Sequence, residues 1–445
     1  MGSELRHDEG SCSLSGCGQV DAVERAADEV SDAAAPPARR RRILRLDEVD
    51  GDTLEAALTA RGRERRSLLR AGGLLAGCAA VGPLFASACA SPRSGGAGAP
   101  SASSAGGPGG QPPFPPGDGK VHFVESSSET VRLGVFDTTL PNLLEIDPGD
   151  TIVYPKTWSH FLDRVQPGVS IDDIARWRFE NPGKGPHSII GPVAIRGAMP
   201  GDVLEIQHHR IRPKGWACNF NNPGSLKTGA LPDVYPDGQV RYFTLDLERM
   251  TTAFGPDVEL PLRPFQGTLG LAPPDGFFGV TNGVYSSVPP GPHGGNTDLG
   301  EMGEGSRMFL PVWQPGGRIY TGDSHALQGD GEVNNTALET AMEELRIRVL
   351  LHKNAALRWP FAETATHFIP MGLDRDLGNA FRIALENAIA FFVARAGLTP
   401  LDAYALCSLG VSFRVTQVVD VNKGVHAMIP KSLFSERARP RITVV

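Results

Sequence analysis

Between His293 and Glu339 the chain concentrates side chains that bind metals or move protons. His293 opens His293-Gly294-Gly295-Asn296, with Asp298 close behind. Asp323-Ser324-His325 follows, then Gln328, Asp330 and Glu332 in a glycine-rich turn, and finally Glu339. Imidazole nitrogens and carboxylate oxygens are good ligands for zinc, and glycine lets backbone approach a bound group closely. Asp323 and His325 are two residues apart, so on a strand both project to one face, as metal ligands or as a base with its orienting carboxylate. The bland alternatives are an Asx-type turn with an exposed His at 293 and a solvated hairpin loop around Gln328 to Glu332. Glu339 taken alone reads more readily as a strand-edge charge than as an acid or base. His187 borders the apolar run Ser188-Ile189-Ile190. It reads first as a hydrogen-bonded core histidine, with metal ligation as the alternative. His208-His209 lies in a strand and is structural, while His160, His367 and His426 carry no spacing signal.

Such groups need tight turns at strand ends to hold them. Leu144–Ile146, Val193–Ile195 and Pro311–Trp313 each run into a Pro-Gly turn, and Thr151–Val153, Val203–Ile206 and Arg318–Tyr320 follow the respective turns. This is hairpin chemistry, and its repetition predicts a mainly β sandwich or barrel. Helix signals come near the C-terminus. Leu377, Phe381, Ala384, Leu385, Ala388 and Phe392 recur at helical spacing up to Gly397. Thr399-Pro400-Leu401-Asp402 then caps a second helix reaching about Leu409, and Val411, Phe413 and Val415 alternate as a strand.

A net charge of -7 and a pI near 5.9 lack the basic footprint of a nucleic-acid partner. The six cysteines include no C-x-x-C pair, so a zinc ribbon or a disulfide scaffold is not expected. Neither a G-x-S-x-G elbow nor an H-E-x-x-H helix is present. Cys218 is a candidate thiol nucleophile, although buried cysteines are mostly inert. Trp158, Trp216 and Phe220 are candidates for an acyl pocket.

Residues 1–64 alternate acidic, Ala-rich and basic pieces with no apolar period and read as a disordered extension. Residues 65–89 place Arg65-Arg66 before a weakly apolar run ending Ala86-Ser87-Ala88-Cys89, which resembles a twin-arginine export signal. Cys89 also resembles a lipoprotein acceptor, so a membrane tether through its lipid is an alternative to a cleaved signal. Residues 90–119 are a Gly/Ser/Pro-rich linker, and the catalytic region is expected over 120–445.

Several separated motifs carry a family likeness over about residues 121–437. These are Gly191-Pro192 through Gly201-Asp202, Pro264-Phe265-Gln266-Gly267-Thr268-Leu269-Gly270, His293-Gly294-Gly295-Asn296 and Gly322-Asp323 through Gly331-Glu332, with Ala405–Leu409 and Phe413–Asp420. The chain resembles the acetamidase/formamidase family. That resemblance implies a metal-assisted amide hydrolase, mainly β with a smaller α/β portion. It puts His293, Asp298, Asp323 and His325 in or near the site, with Glu332 as the favoured acid/base. Asn334-Asn335 departs from the small residues common there.

The expectation is therefore hydrolysis of a short carboxamide by water activated at a divalent metal, Zn2+ first. The metal ligands would come from Asp323, His325, His293, Asp298 and His187. Glu332 or Glu339 would move protons, and Gln328 or the Gly329–Gly331 backbone would hold the oxyanion. Alternatives are a lactamase or larger-amide hydrolase on the same site, and a surface ligand-binding protein without turnover. A homodimer is expected from the strand-rich architecture.

Overall fold

The computed structural model describes Phe114 and residues 117–445; the expected extension, the segment read as an export signal and nearly all of the expected linker lie outside the described residues. Two nine-stranded sheets dominate. The first runs, in spatial order, through Val121–Phe123, Thr151–Pro155, Met342–His352, Val203–Pro213, Arg307–Pro311, Phe361–Glu363, His367–Asp374, Lys423–Pro430 and Ser412–Gln417. The second has Gly294–Asn296, Phe265–Gly270, Ile319–His325, Glu339–Thr340, Trp216–Asn221 and Gln239–Thr244 in order, and Ser188–Ile195 joins it at Ile319–His325.

The long strands read as apolar runs, and their inward residues build one shared core. Ile152, Tyr154, Leu204, Ile206, Leu310 and Ile347 of the first sheet cluster with Val193, Ile195, Phe265, Leu269 and Ile319 of the second. The layers are thus joined by burial, the dominant favourable contribution to folding.

The three expected hairpins are not hairpins. Leu144–Ile146 pairs in parallel with Ser188–Ile195, while Thr151–Pro155 pairs with Val121–Phe123 and Met342–His352 in the other sheet. Ser188–Ile195 to Val203–Pro213 and Arg307–Pro311 to Ile319–His325 likewise step from one sheet to the other. A Pro-Gly turn specifies that the chain reverses, not which strand it then pairs with. Strands this apolar are satisfied only when covered on both sides, so each corner sends the chain into the opposite layer.

The helices match expectation more closely. Leu377–Phe391 continues through a π turn, Phe392–Ala396, to Gly397 in the left-handed conformation. Pro400–Gly410 follows, its first turn capped by the Thr399 side chain, which accepts from the Asp402 amide. The segment Leu377–Ala396 is long and apolar enough to cross a membrane by composition. Here Ala380, Ala384, Ala388 and Phe391 bury against Val425, Phe368 and Ala427. Gly372 permits this approach, because a Cβ there would strike the Ala380 carbonyl and the Ala384 amide. Two features near the site were not expected. His160–Asp163 is a short turn with left-handed backbone at Phe161, Leu162 and Asp163, and Ile171–Glu180 is a helix capped by Ser170, whose side chain accepts from the Asp173 amide.

Candidate active site

The site forms where the Ile319–His325 strand meets its neighbours. His325 is the cross-strand partner of Glu339, so the two side chains lie side by side on one face. His325 Nε2 is 3.2 Å from Glu339 Oε2 and 3.2 Å from Asp323 Oδ1. Asp323 reaches that face with a φ of 59°, a strained value for a strand residue that swings its carboxylate toward its neighbours. Opposite it, Gly267 leaves the necessary room. A Cβ on Gly267 would lie 2.5 Å from Asp298 Oδ1 and 2.6 Å from both Asp323 Oδ2 and His325 Cε1.

Two histidines close the site from the other side. His160, presented by the left-handed turn, puts Nε2 3.3 Å from Asp323 Oδ1 and Nδ1 3.6 Å from Glu339 Oε2. His187 Nε2 is 3.8 Å from Asp323 Oδ2, while its Nδ1 meets Ser287 Oγ at 2.8 Å, a contact that orients the ring. Behind them Asp298, Glu332 and Asp420 form a buried carboxyl triple. Asp298 and Glu332 also sit at positive φ, 50° and 46°.

Charge follows the geometry. Burial alone would raise the Asp323 carboxyl, but His187 and His325 outweigh it and hold Asp323 well below the usual carboxylate range. Burial would neutralise His325, yet Glu339 and Asp323 outweigh that and raise it well above an ordinary imidazole. Burial pushes His187 down to about 4. Burial and Asp420 raise Glu332, burial and Glu332 raise Asp298, and burial brings Asp420 to about 6. All three carboxyls of the triple are thus shifted toward holding a proton.

The donor set fits a divalent cation. At this site four sets of three side chains put their ligand atoms within 4.8 Å of one another, and they overlap: His160, His187 and Asp323; Asp298, Asp323 and His325; His325, Glu332 and Glu339; Asp298, Glu332 and Asp420. Both Asp298 oxygens, both His325 nitrogens, Glu332 Oε2, Glu339 Oε2 and Asp420 Oδ2 are buried without a hydrogen-bond partner. Buried polar atoms left unpaired in such number are costly, and a cation coordinated by nitrogen and oxygen would satisfy them.

A cleft of about 470 Å³, counting its open mouth, reaches this cluster, and His160, His187, Asp323, Glu332, Glu339 and Asp420 line it. Phe220, Ile174 and Val288 supply apolar wall. Of the three expected acyl-pocket residues only Phe220 is at the wall; Trp158 packs on the main core and Trp216 on a cluster around Trp177.

Other expectations are corrected. His293 is buried between Phe136 and Phe277 and shares none of the four ligand sets, because its ring points past Gly295 into an aromatic pocket. Gln328 donates to the Asp298 carbonyl at 2.9 Å, and Gly331 N donates to the Thr416 carbonyl at 3.0 Å. One N–H of Gln328 and the Gly331 N–H are thus engaged in holding the loop. Cys218 is fully buried and burial raises its thiol well above the usual value, which removes it as a nucleophile. The structure adds His160 and Asp420, neither of which carried a local signal. Asp298, Asp323, His325, Glu332, Glu339 and His187 do converge.

A two-layer β protein with a buried histidine–carboxylate cluster beneath a small cleft is the class that fold and site define. The chain belongs to the acetamidase/formamidase family, whose pattern it matches over residues 133–283 and 280–436. Among curated relatives it is similar to an acetamidase of Mycolicibacterium smegmatis, 31% identical over 199 residues, an alignment covering 33% of this chain and 49% of that protein. It is also similar to a formamidase of Methylophilus methylotrophus, 28% identical over 320 residues, covering 57% and 78% respectively. Among solved structures, an acetamidase from Yersinia enterocolitica superposes with a TM-score of 0.61 at 30% identity, covering 70% of this chain and 92% of that one. One from Bacillus halodurans gives 0.62 at 26% identity, covering 71% and 99%.

Proposed function

We propose that the protein hydrolyses a carboxamide to a carboxylate and ammonia, assisted by a divalent cation, with Zn2+ the first candidate. The observation that carries this reading is the convergence of His160, His187, Asp323, His325 and Glu339 at the base of the cleft in a member of this family. Those five residues would hold the cation. When bound, it supplies Lewis acidity, lowering the pKa of water from about 15.7 to about 7 and polarising a carbonyl.

The remaining chemistry belongs to the chain. Glu332 faces the cleft with one unpaired oxygen and a raised proton affinity, which suits it to take a proton from the attacking water and deliver it to the departing nitrogen. An amide nitrogen leaves poorly unless protonated, so this transfer is the step that an acid/base at this position accelerates. Glu339 is less free, since Oε1 accepts from the Ala337 amide at 2.7 Å and Oε2 faces His325; it orients the ligand set. Phe220, Ile174 and Val288 exclude water from the acyl side. The Arg65-Arg66 segment supports an exported enzyme.

The test is ammonia release from acetamide and propionamide, before and after removal of metal. Activity that falls on chelation and returns with Zn2+ is expected. Undiminished turnover by protein shown to be metal-free rejects the cation, and no turnover of any amide by the loaded protein rejects the reaction.

A further inference from the structure

The cleft holds one arginine that no described residue pairs with. Arg178, in the last turn of the Ile171–Glu180 helix, lines the cleft together with Ile174 from the turn before. It is the only lysine or arginine among the lining residues. Its guanidinium makes no hydrogen bond to any described residue and has no described carboxylate oxygen within 4.0 Å. Burial lowers its proton affinity, while Asp420 acts in the opposite sense without touching it. Asp420 Oδ1 accepts from Asn335 Nδ2 at 3.3 Å, and its carboxyl belongs to the triple with Asp298 and Glu332, with no oxygen within 4.0 Å of the Arg178 guanidinium. By contrast, Arg164 on the same side of the fold stacks over Trp177, with 4.0 Å between its guanidinium carbon and the ring centre.

A half-buried guanidinium in the cleft with no described protein acceptor, its nitrogens open to water, is available to a ligand, and its planar fork matches a carboxylate. Formamide and acetamide offer it nothing. We propose that Arg178 is a specificity residue, and that the substrate is an amide carrying a carboxylate at its far end, a half-amide of a short dicarboxylic acid. This rests on the amidase reading above and sharpens it. The amide lies over the His160, His187 and Asp323 pole, the methylene chain runs past Ile174 and Phe220, and the distal carboxylate pairs with Arg178. The hydrolytic products are then a dicarboxylate and ammonia, with water supplying the oxygen and the protons.

The test compares succinamate with butyramide, which have equal carbon chains and differ in the distal carboxylate, in Zn2+-loaded full-length protein. The expected result is a kcat/KM ratio favouring succinamate by about 10- to 100-fold, the range for a hydrogen-bonded charged pair, expressed mainly in KM. In Arg178→Gln the ratio falls toward one, and in Arg178→Lys, which keeps charge and loses the fork, it falls part way. A ratio of one in the wild type, or a preference that survives Arg178→Gln, overturns the proposal while butyramide turnover leaves the amidase reading intact. Absence of turnover on both amides overturns the two together. If Arg178→Gln does not fold, the Lys variant and competition by succinate against butyramide decide: an inhibition constant that fails to rise in the Lys variant also overturns it.

Discussion

At the scale of single residues, the site brings together groups whose proton affinities are driven apart by their surroundings. The Asp323 carboxyl is driven down by His187 and His325 and the Glu332 carboxyl is driven up by burial and Asp420, though both are buried within one cluster. Glu332→Gln keeps shape and removes the proton carrier, so kcat should fall by about 100- to 10,000-fold in ammonia-release assays. The same variant reports on stability. Glu332 is raised well above 4.5, so metal-free folded protein binds a proton there that the unfolded chain has released. Glu332 therefore contributes stability to the metal-free protein that is lost as pH rises above about 4.5, because at this group the native state binds more protons. Melting temperatures of chelated protein should show the Gln variant gaining on the wild type as pH increases over that range. A difference that is flat with pH contradicts the assignment.

Local spacing made some of these residues legible and hid others. Asp323 and His325 could be read from two-residue spacing on a strand, although Asp323 reaches the site through a left-handed backbone that no pattern announces. Glu339 resembled an edge charge because its pairing with His325 is a matter of sheet register, which is set by long-range packing. His160 rides on a turn whose positive-φ residues are Phe, Leu and Asp, not the glycine that usually marks such backbone. His293 misled in the opposite direction. Its glycine neighbours serve a close strand crossing beside Leu269 and Gly270, which looks the same in sequence as a cradle for a ligand.

At the scale of elements, the strand pair Phe265–Gly270 and Ile319–His325 holds the ligand set, and Gly267 is the point where it can be broken. Gly267→Ala should leave a folded protein with melting temperature lowered by several degrees, since about 1–3 kcal/mol is typical for overpacking a tight site. Its bound metal, measured by elemental analysis, should drop below half occupancy with activity lost in proportion. Full occupancy at wild-type rates is the outcome that counts against the arrangement. The Ile171–Glu180 helix depends on its cap in a comparable way. Ser170→Ala removes the acceptor for the Asp173 amide and should cost about 1 kcal/mol, visible as a lower denaturation midpoint. That helix was legible too: Ser170-Ile171-Asp172-Asp173 is a start signal of the same kind as Thr399-Pro400-Leu401-Asp402, and only the second lay in an obviously helical context.

At the scale of the whole molecule, cation binding and folding should be linked. The ligand atoms would come from segments spread between His160 and Glu339, so the unfolded chain offers no comparable site. Zn2+ at a hundredfold excess over its dissociation constant should stabilise by about 2.7 kcal/mol, raising the melting temperature of protein first freed of metal. Its affinity should increase with pH, because binding must displace the proton that Glu339 and Asp323 favour on His325. Calorimetry in two buffers of different ionisation enthalpy reads that proton release directly. Class and sheet content were legible in the alternation of strands and turns, whereas strand partnership was not, since turn chemistry speaks only of neighbours along the chain.

The three Pro-Gly corners that step between layers also bear on how the protein is made. With successive strands sent to opposite sheets, most native pairings join segments far apart in the chain. Folding must then search for distant partners before local contacts can reward it, which slows it by comparison with a meander of the same size. The candidate site draws its residues from segments between His160 and Asp420, so it can form only once such distant segments have met, and a nascent chain offers those side chains scattered.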